Sequence, residues 1–346
     1  MNIPDSTQDR RLAALEAWLV LTLGGAPTQI APASVDASFR RYFRVWHDGG
    51  TLIAMDAPPE REDVAPFLRV AGLLADAGVN VPRIVARDLS QGFLLMTDLG
   101  DRQYLGALRA GGDAETLYGD AIQALVRFQT RTAATRHVLP PYDEARLRQE
   151  MELFPQWFLA RHLGLALTDE ERTMLESSFG LLARAALDQP QVLVHRDYHS
   201  RNLMVCADNP GILDFQDAVV GAQSYDLVSL LKDCYIAWPR ERVLHWLQRY
   251  LDEGAAAGLR CPGGARGFVE AFDLMGLQRH LKVLGIFARL WYRDGKPGYL
   301  ADLPRVLEYT LAVTAAATPL APLDRFLRER VVPGLAAAQA RAMRSS

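Results

Sequence analysis

Apolar residues at positions 12, 15, 18, 19 and 23 recur at three- and four-residue intervals, behind Asp5 and Ser6 and ahead of Gly24-Gly25, which predicts a capped first helix. The period then changes. Residues 39–46 and 52–55 read as strands joined by the turn His47-Asp48-Gly49-Gly50, a β-hairpin signature. Val64, Phe67, Leu68, Ala71, Leu74 and Ala75 mark one face of a helix ending at Gly78, and two short strands, 84–87 and 93–96, follow Val81-Pro82. Together these predict a small antiparallel sheet with one internal helix. Beyond Gly100 helical spacing dominates, over 117–130, 144–163, 170–187, 226–237, 240–253, 268–292 and 301–316. One interval interrupts it: between 191 and 212, three short apolar runs (192–194, 203–205 and 212–213) alternate with polar loops. The Ala/Arg-rich end, 336–346, is expected to fray. The layout is α+β, with a β-rich lobe over 1–98, a connector at 96–100, and a larger, mainly helical lobe over 99–346.

Composition narrows the class. At 346 residues, 49% hydrophobic and 23% charged, the chain is an ordinary globular protein of about two domains, not a disordered or fibrous one. A net charge of -3 offers no footprint for nucleic acid or an anionic membrane. Cys206, Cys234 and Cys261 form no C-x-x-C pair, and the N-terminus has no basic, signal-like region; both fit a cytoplasmic, unexported protein. Of 38 basic residues only Lys232, Lys282 and Lys296 are lysines, so a point-charge phosphate ligand is absent from the first two thirds of the chain.

The stretch 194–203, VHRDYHSRNL, followed by Leu213-Asp214-Phe215, carries the chemistry. Asp197 and Asn202 leave one loop five residues apart, and Asp214 ends the next strand, where it can face them. Phosphoryl transfer needs this set: one carboxylate to orient the attacking hydroxyl, and an amide and a second carboxylate to hold hard Mg²⁺ ions through oxygen. H-R-D, four residues, N, an apolar strand and D-F match the protein-kinase set, except that the glycine of D-F-G is Gln216.

From about Asp36 to at least Lys232 the sequence resembles the aminoglycoside phosphotransferase-like small-molecule kinases, which share the protein-kinase fold. Ser224-Tyr225-Asp226-Leu227 looks like that family's D-x-x-x-Y-D-L element, which makes Asp226 a brace for the catalytic loop. Residues 94–99, LLMTDL, look like the hinge that holds adenine, which implies ATP contacts from Met96, Thr97, Asp98 and Leu99. Residues 34–44, SVDASFRRYFR, with Asp56-Ala57-Pro58-Pro59-Glu60 and the stretches HRDYHSRNLMV and GILDFQDAVVGAQSYDL, are similar to the anomeric sugar kinases of bacterial cell-wall recycling. The resemblance implies a two-lobed protein-kinase-like fold and ATP-dependent phosphorylation of the 1-hydroxyl of N-acetylmuramic acid and N-acetylglucosamine. It also implies Mg²⁺ as cofactor, an α-1-phosphate product, a monomer, and a functional link to a sugar-1-phosphate uridylyltransferase.

The strand that carries the phosphate-gripping lysine of protein kinases is here 52–56, LIAMD, without a lysine, and the next helix lacks the partner glutamate. A phosphate loop at Asp36, Ala37 and Ser38 has no glycine. Arg40, Arg41 and Arg44, or Arg69, are the candidates to replace the lysine, because guanidinium matches phosphate geometry. His195 reads as a loop brace. His199, Arg201, Glu150, Gln216 and Asp217 are candidate substrate contacts. An aminoglycoside, homoserine or choline-type kinase would keep the same trio, and a pseudokinase would need to have lost catalysis with its lysine.

Overall fold

The computed structural model describes residues 6–35 and 39–344. It divides into two compact units, one built from 1–103 and 203–217, the other from 104–202 and 218–346. The sequence placed one boundary near residue 98, whereas by packing the segment 203–217 belongs with the first unit.

The first unit begins with α1 (Ser6–Leu23) and holds a five-stranded antiparallel sheet in the order β1-β2-β3-β5-β4, with β1 (Gln29–Val35), β2 (Arg41–His47), β3 (Gly50–Asp56), β4 (Ile84–Asp88) and β5 (Phe93–Thr97). Asp48 and Gly49 join β2 to β3 with φ of 49° and 72°, the double left-handed conformation that a two-residue hairpin requires. β1 was not legible as a strand: Pro32 breaks its alternation and sits beside a register shift, a combination an edge strand tolerates. Leu15 and Leu19 of α1 pack with Phe43, Val45, Ala54, Phe93 and Leu95, burying one face of the sheet. Helix α2 (Ala65–Asp76) buries Phe67, Val70, Ala71 and Leu74, the face its periodicity predicted. The short ladder β7 (Leu203–Met204) with β8 (Gly211–Ile212) completes this unit.

The second unit is mainly helical: α3 (Tyr104–Arg109), α4 (Ala114–Arg131), α5 (Glu144–Met151), α6 (Asp169–Leu187), α7 (Tyr225–Leu231), α8 (Arg240–Ala256), α9 (Gly264–Tyr292), α10 (Leu303–Ala316), α11 (Ala321–Phe326) and α12 (Val332–Arg344). The end of the chain expected to fray is helical through residue 344. The helix predicted over 144–163 is two elements: α5 ends at Met151 and a π-helical stretch follows over Phe154–Leu163. One antiparallel ladder, β6 (Gln191–Val194) with β9 (Val219–Ala222), lies among the helices, and the loop leaving β6 is the one singled out above. Among the described residues no single helix is long and apolar enough to cross a membrane.

Candidate active site

The loop after β6 is held from beneath by a buried carboxylate. Asp226, at the start of α7 and fully buried, accepts the backbone N–H of His195 at 2.7 Å and of Arg196 at 2.9 Å. Burial pushes its carboxyl up to about 7, opposed by those two N–H donors and by Arg279. The two bonds secure a strained turn: Arg196 has a φ of 80°, which a residue with a Cβ adopts only when its surroundings impose it. His195 is fully buried, and its Nδ1 accepts the Asp197 N–H at 3.2 Å. Asp233 takes the far side of the loop, accepting the Ser200 N–H at 3.0 Å and its hydroxyl at 2.5 Å.

On this frame Asp197 keeps 43% of its side chain exposed. Burial of its surroundings would raise its pKa, but the charges of Lys282, Arg279 and Arg196, with a further contribution from the His199 ring, outweigh that and hold the carboxyl at about 2. Arg279 approaches Asp197 Oδ1 at 3.7 Å and donates to Ser229 Oγ at 2.6 Å. Behind it lies a buried ion cluster. Lys282 meets Glu150 Oε2 at 2.9 Å, Arg196 donates to Glu150 Oε1, and the Tyr142 hydroxyl donates to Glu150 as well. Glu150 is itself held below the usual carboxylate range: burial opposes this, and Lys282, Arg196 and Tyr142 together prevail. A glutamate with both oxygens so engaged supports the loop; it is not placed as the surface sugar contact that its position on a helix suggested.

Lys282 and Arg279 were missed by the sequence reading. The signal was present: Gln278, Arg279, His280 and Lys282 interrupt the apolar run between Leu274 and Phe287 of α9, and all are buried. Gly285 lets α9 come this close. A Cβ at that position would stand 2.3 Å from the Leu153 carbonyl carbon and 2.4 Å from its oxygen, so the helix backbone can meet the chain after α5 only at a glycine. Gly285 lies three residues after Lys282, and Leu153 three after Glu150, so the contact brings those two side chains together.

The other candidates fall into separate groups. Asn202 donates from Nδ2 to the Asp197 carbonyl at 2.9 Å, which turns its amide oxygen, the atom a hard cation takes, to the opposite side. In the first unit Asp214 is exposed, has a φ of 63°, and accepts from Gln216 Nε2 at 2.9 Å. Phe215 is buried and packs against Phe67 of α2 with the rings tilted, centroids 4.9 Å apart. Asp217 is exposed. Amide and carboxylate oxygens are the donor set that Mg²⁺ accepts. Among the described residues no group of three or more His, Cys, Asp or Glu is arranged to cage a metal ion.

Of the nucleotide-side candidates, Asp36, Ala37 and Ser38 lie outside the described residues. Met96 is buried in β5, Thr97 ends that strand, and Asp98 and Leu99 follow. Arg44 donates to Asp98 Oδ2 at 2.6 Å and to the Gly100 carbonyl at 2.9 Å. Arg41 pairs with buried Asp56, which Arg11 also meets, Nε to Oδ1 at 2.9 Å. A phosphate role for Arg41 or Arg44 therefore requires it to exchange a carboxylate for a phosphate. Arg40 is half-buried and Arg69 lies on the exposed face of α2. His199 and Arg201 lie against Tyr235, at centroid distances of 5.3 Å and 3.7 Å.

Comparison with known proteins shows what the whole chain is similar to. A family model described as "Phosphotransferase enzyme family" matches residues 29–267. An N-acetylmuramate/N-acetylglucosamine kinase of Pseudomonas aeruginosa is 52% identical over 332 residues, 93% of this chain and 97% of the relative. A protein of the same name from Neisseria meningitidis is 43% identical over 326 residues, 93% and 96% of the two chains. Among solved structures, a choline kinase of Streptococcus pneumoniae superposes with a TM-score of 0.60 at 9% identity, over 88% of this chain and 99% of that one. The ADP-bound aminoglycoside phosphotransferase APH(2'')-Ib gives 0.56 at 15% identity, over 87% and 98%. The structural likenesses establish a protein-kinase-like α+β fold. The family match and the relatives establish the lineage: this chain belongs to the phosphotransferase enzyme family.

Proposed function

We propose that the protein is an ATP-dependent sugar kinase that phosphorylates the anomeric 1-hydroxyl of N-acetylmuramate and N-acetylglucosamine, giving sugar α-1-phosphates. The observation that carries the reading is similarity at 52% identity, across nearly the whole of both chains, to a kinase named for those two sugars. The geometry around Asp197 supports hydroxyl-directed transfer. A carboxylate held at about 2 is ionised at neutral pH, so it accepts a hydrogen bond from the sugar hydroxyl and aims the oxygen at the γ-phosphorus. As the new oxygen–phosphorus bond forms and the bond to ADP breaks, the hydroxyl proton passes to Asp197. Asn202 and Asp214 are the residues that would hold Mg²⁺, which supplies positive charge to the phosphates when bound. His195, Asp226 and the Glu150–Lys282–Arg196 cluster keep the loop in place. The same reading makes the enzyme a cytoplasmic monomer whose product, a sugar 1-phosphate, is the substrate class of a uridylyltransferase.

Incubation with Mg-ATP and, separately, N-acetylmuramate, N-acetylglucosamine, homoserine, choline or kanamycin tests this. ADP release is expected with the two amino sugars and at background with the rest. Release with homoserine, choline or kanamycin alone would replace the substrate assignment; release with none would return the chain to a nucleotide-binding role.

A further inference from the structure

Five side chains of the second unit form a cluster beside the catalytic loop. The Arg201 guanidinium lies over the Tyr235 ring, 3.7 Å from its centroid, and 5.7 Å from that of Tyr299. Phe287 backs both tyrosines, at 6.0 Å and 5.2 Å. His199 sets its ring edge-on to Tyr235, and its Nδ1 is buried without a hydrogen-bond partner. Arg201 differs from the other loop-side arginines. Arg196 is committed to Glu150 and Arg279 faces Asp197, whereas Arg201 has only aromatic faces and no carboxylate partner among the described residues. It is half-buried, so part of the guanidinium reaches solvent. Stacking has already removed much of its rotamer freedom, and the edge of a planar guanidinium fits a carboxylate with two parallel hydrogen bonds.

The two proposed acceptors differ in one group. At oxygen 3, N-acetylmuramate carries a lactyl ether ending in a carboxylate, where N-acetylglucosamine has a hydroxyl. Carbon 3 is two bonds round the pyranose ring from carbon 1, and the lactyl group extends outward from its oxygen. A residue that reads the lactyl carboxylate while Asp197 holds the 1-hydroxyl must therefore stand about one sugar's width from Asp197. Arg201 is four residues on, at most about 14 Å along an extended chain. The loop is far from extended: His199 N–H bonds to the Asp197 carbonyl at 3.0 Å and Asn202 N–H to the His199 carbonyl at 2.9 Å.

We propose that Arg201, pre-set on Tyr235, is the specificity residue that binds the lactyl carboxylate of N-acetylmuramate. The assignment rests on the sugar-kinase reading above and deepens it. The test is the ratio of kcat/KM for the two sugars in wild type, Arg201→Ala and Arg201→Lys. Arg201→Ala is expected to lose about 10- to 100-fold more on N-acetylmuramate than on N-acetylglucosamine, and Arg201→Lys, which keeps charge without the fork, to recover part of the ratio. A second measurement uses the wild-type protein alone: the methyl ester of N-acetylmuramate, which keeps the shape and removes the charge, should be the poorer substrate. An unchanged ratio, an equal loss on both sugars, or an ester as good as the acid would overturn the assignment. A wild-type protein inert toward both sugars would instead overturn the sugar-kinase reading on which it rests.

Discussion

A carboxylate that lines up a neutral hydroxyl has to stay ionised while surrounded by protein, and Asp197 does so because Lys282 and Arg279 reach it from α9. Removing a positive charge weakens the preference for the carboxylate form, so the sign is fixed. In Lys282→Gln the Asp197 pKa rises, and the acid limb of kcat, below the working range in wild type, should move to higher pH; Lys282→Arg should leave it near its original place. A pH–rate profile that does not move in Lys282→Gln would separate the lysine from the carboxylate. The trio itself divides by role. Asp197→Asn should bind Mg-ATP within a few-fold of wild type while transfer falls about 10²- to 10⁴-fold, whereas Asp214→Ala should weaken Mg-ATP binding in calorimetric titration. Equal loss of binding in both would contradict the assignment. Asp197, Asn202 and Asp214 are proposed from the sequence because they fall within eighteen residues at a spacing that phosphoryl transfer would use. Their electrostatic partners were not legible there, since Lys282 lies eighty-five residues beyond Asp197 in a helix whose period reads as core.

At the scale of elements, the site depends on where α9 runs. Its backbone touches Leu153, just before the π-helical stretch, and only a missing side chain at position 285 permits it. Alanine is the better helix former by about 1 kcal/mol, yet Gly285→Ala should destabilise the protein by about 1–3 kcal/mol in thermal unfolding, because the added carbon meets backbone that cannot swing aside. It should also lower kcat more than it raises KM, because Lys282 is displaced with the helix. A more stable Gly285→Ala protein of normal activity would contradict this packing. The elements with strong periodicity, α2, α4, α6 and the β2–β3 hairpin, follow the pattern of apolar residues closely. The stretch 144–163 does not, for a local reason: Pro155 has no N–H to continue the hydrogen-bond ladder, so the apolar spacing persists while the winding changes. β1 escaped notice because an edge strand with a proline carries little alternation.

For the whole molecule, the fold class was legible and the division of the chain was not. The switch from strand-like to helical period near residue 100 marks the first unit, but nothing local assigns 203–217 to it, because that membership arises from tertiary pairing such as Ile212 N–H to the Asn80 carbonyl at 2.8 Å. The near-absence of lysine acquires a place in the same way. The strand position occupied by lysine in protein kinases is without one here, the arginines of β2 are engaged by Asp56 and Asp98, and one of the three lysines, Lys282, contributes its charge to holding Asp197 ionised. The central claim is that this arrangement transfers the γ-phosphoryl group of ATP to the anomeric oxygen of an amino sugar. Phosphorus NMR of the product made from N-acetylmuramate and Mg-ATP tests it most directly. The account predicts a phosphomonoester coupled to the proton on carbon 1, formed mole for mole with ADP; a phosphate on carbon 6 or any other hydroxyl, or ADP release without a sugar phosphate, would contradict it.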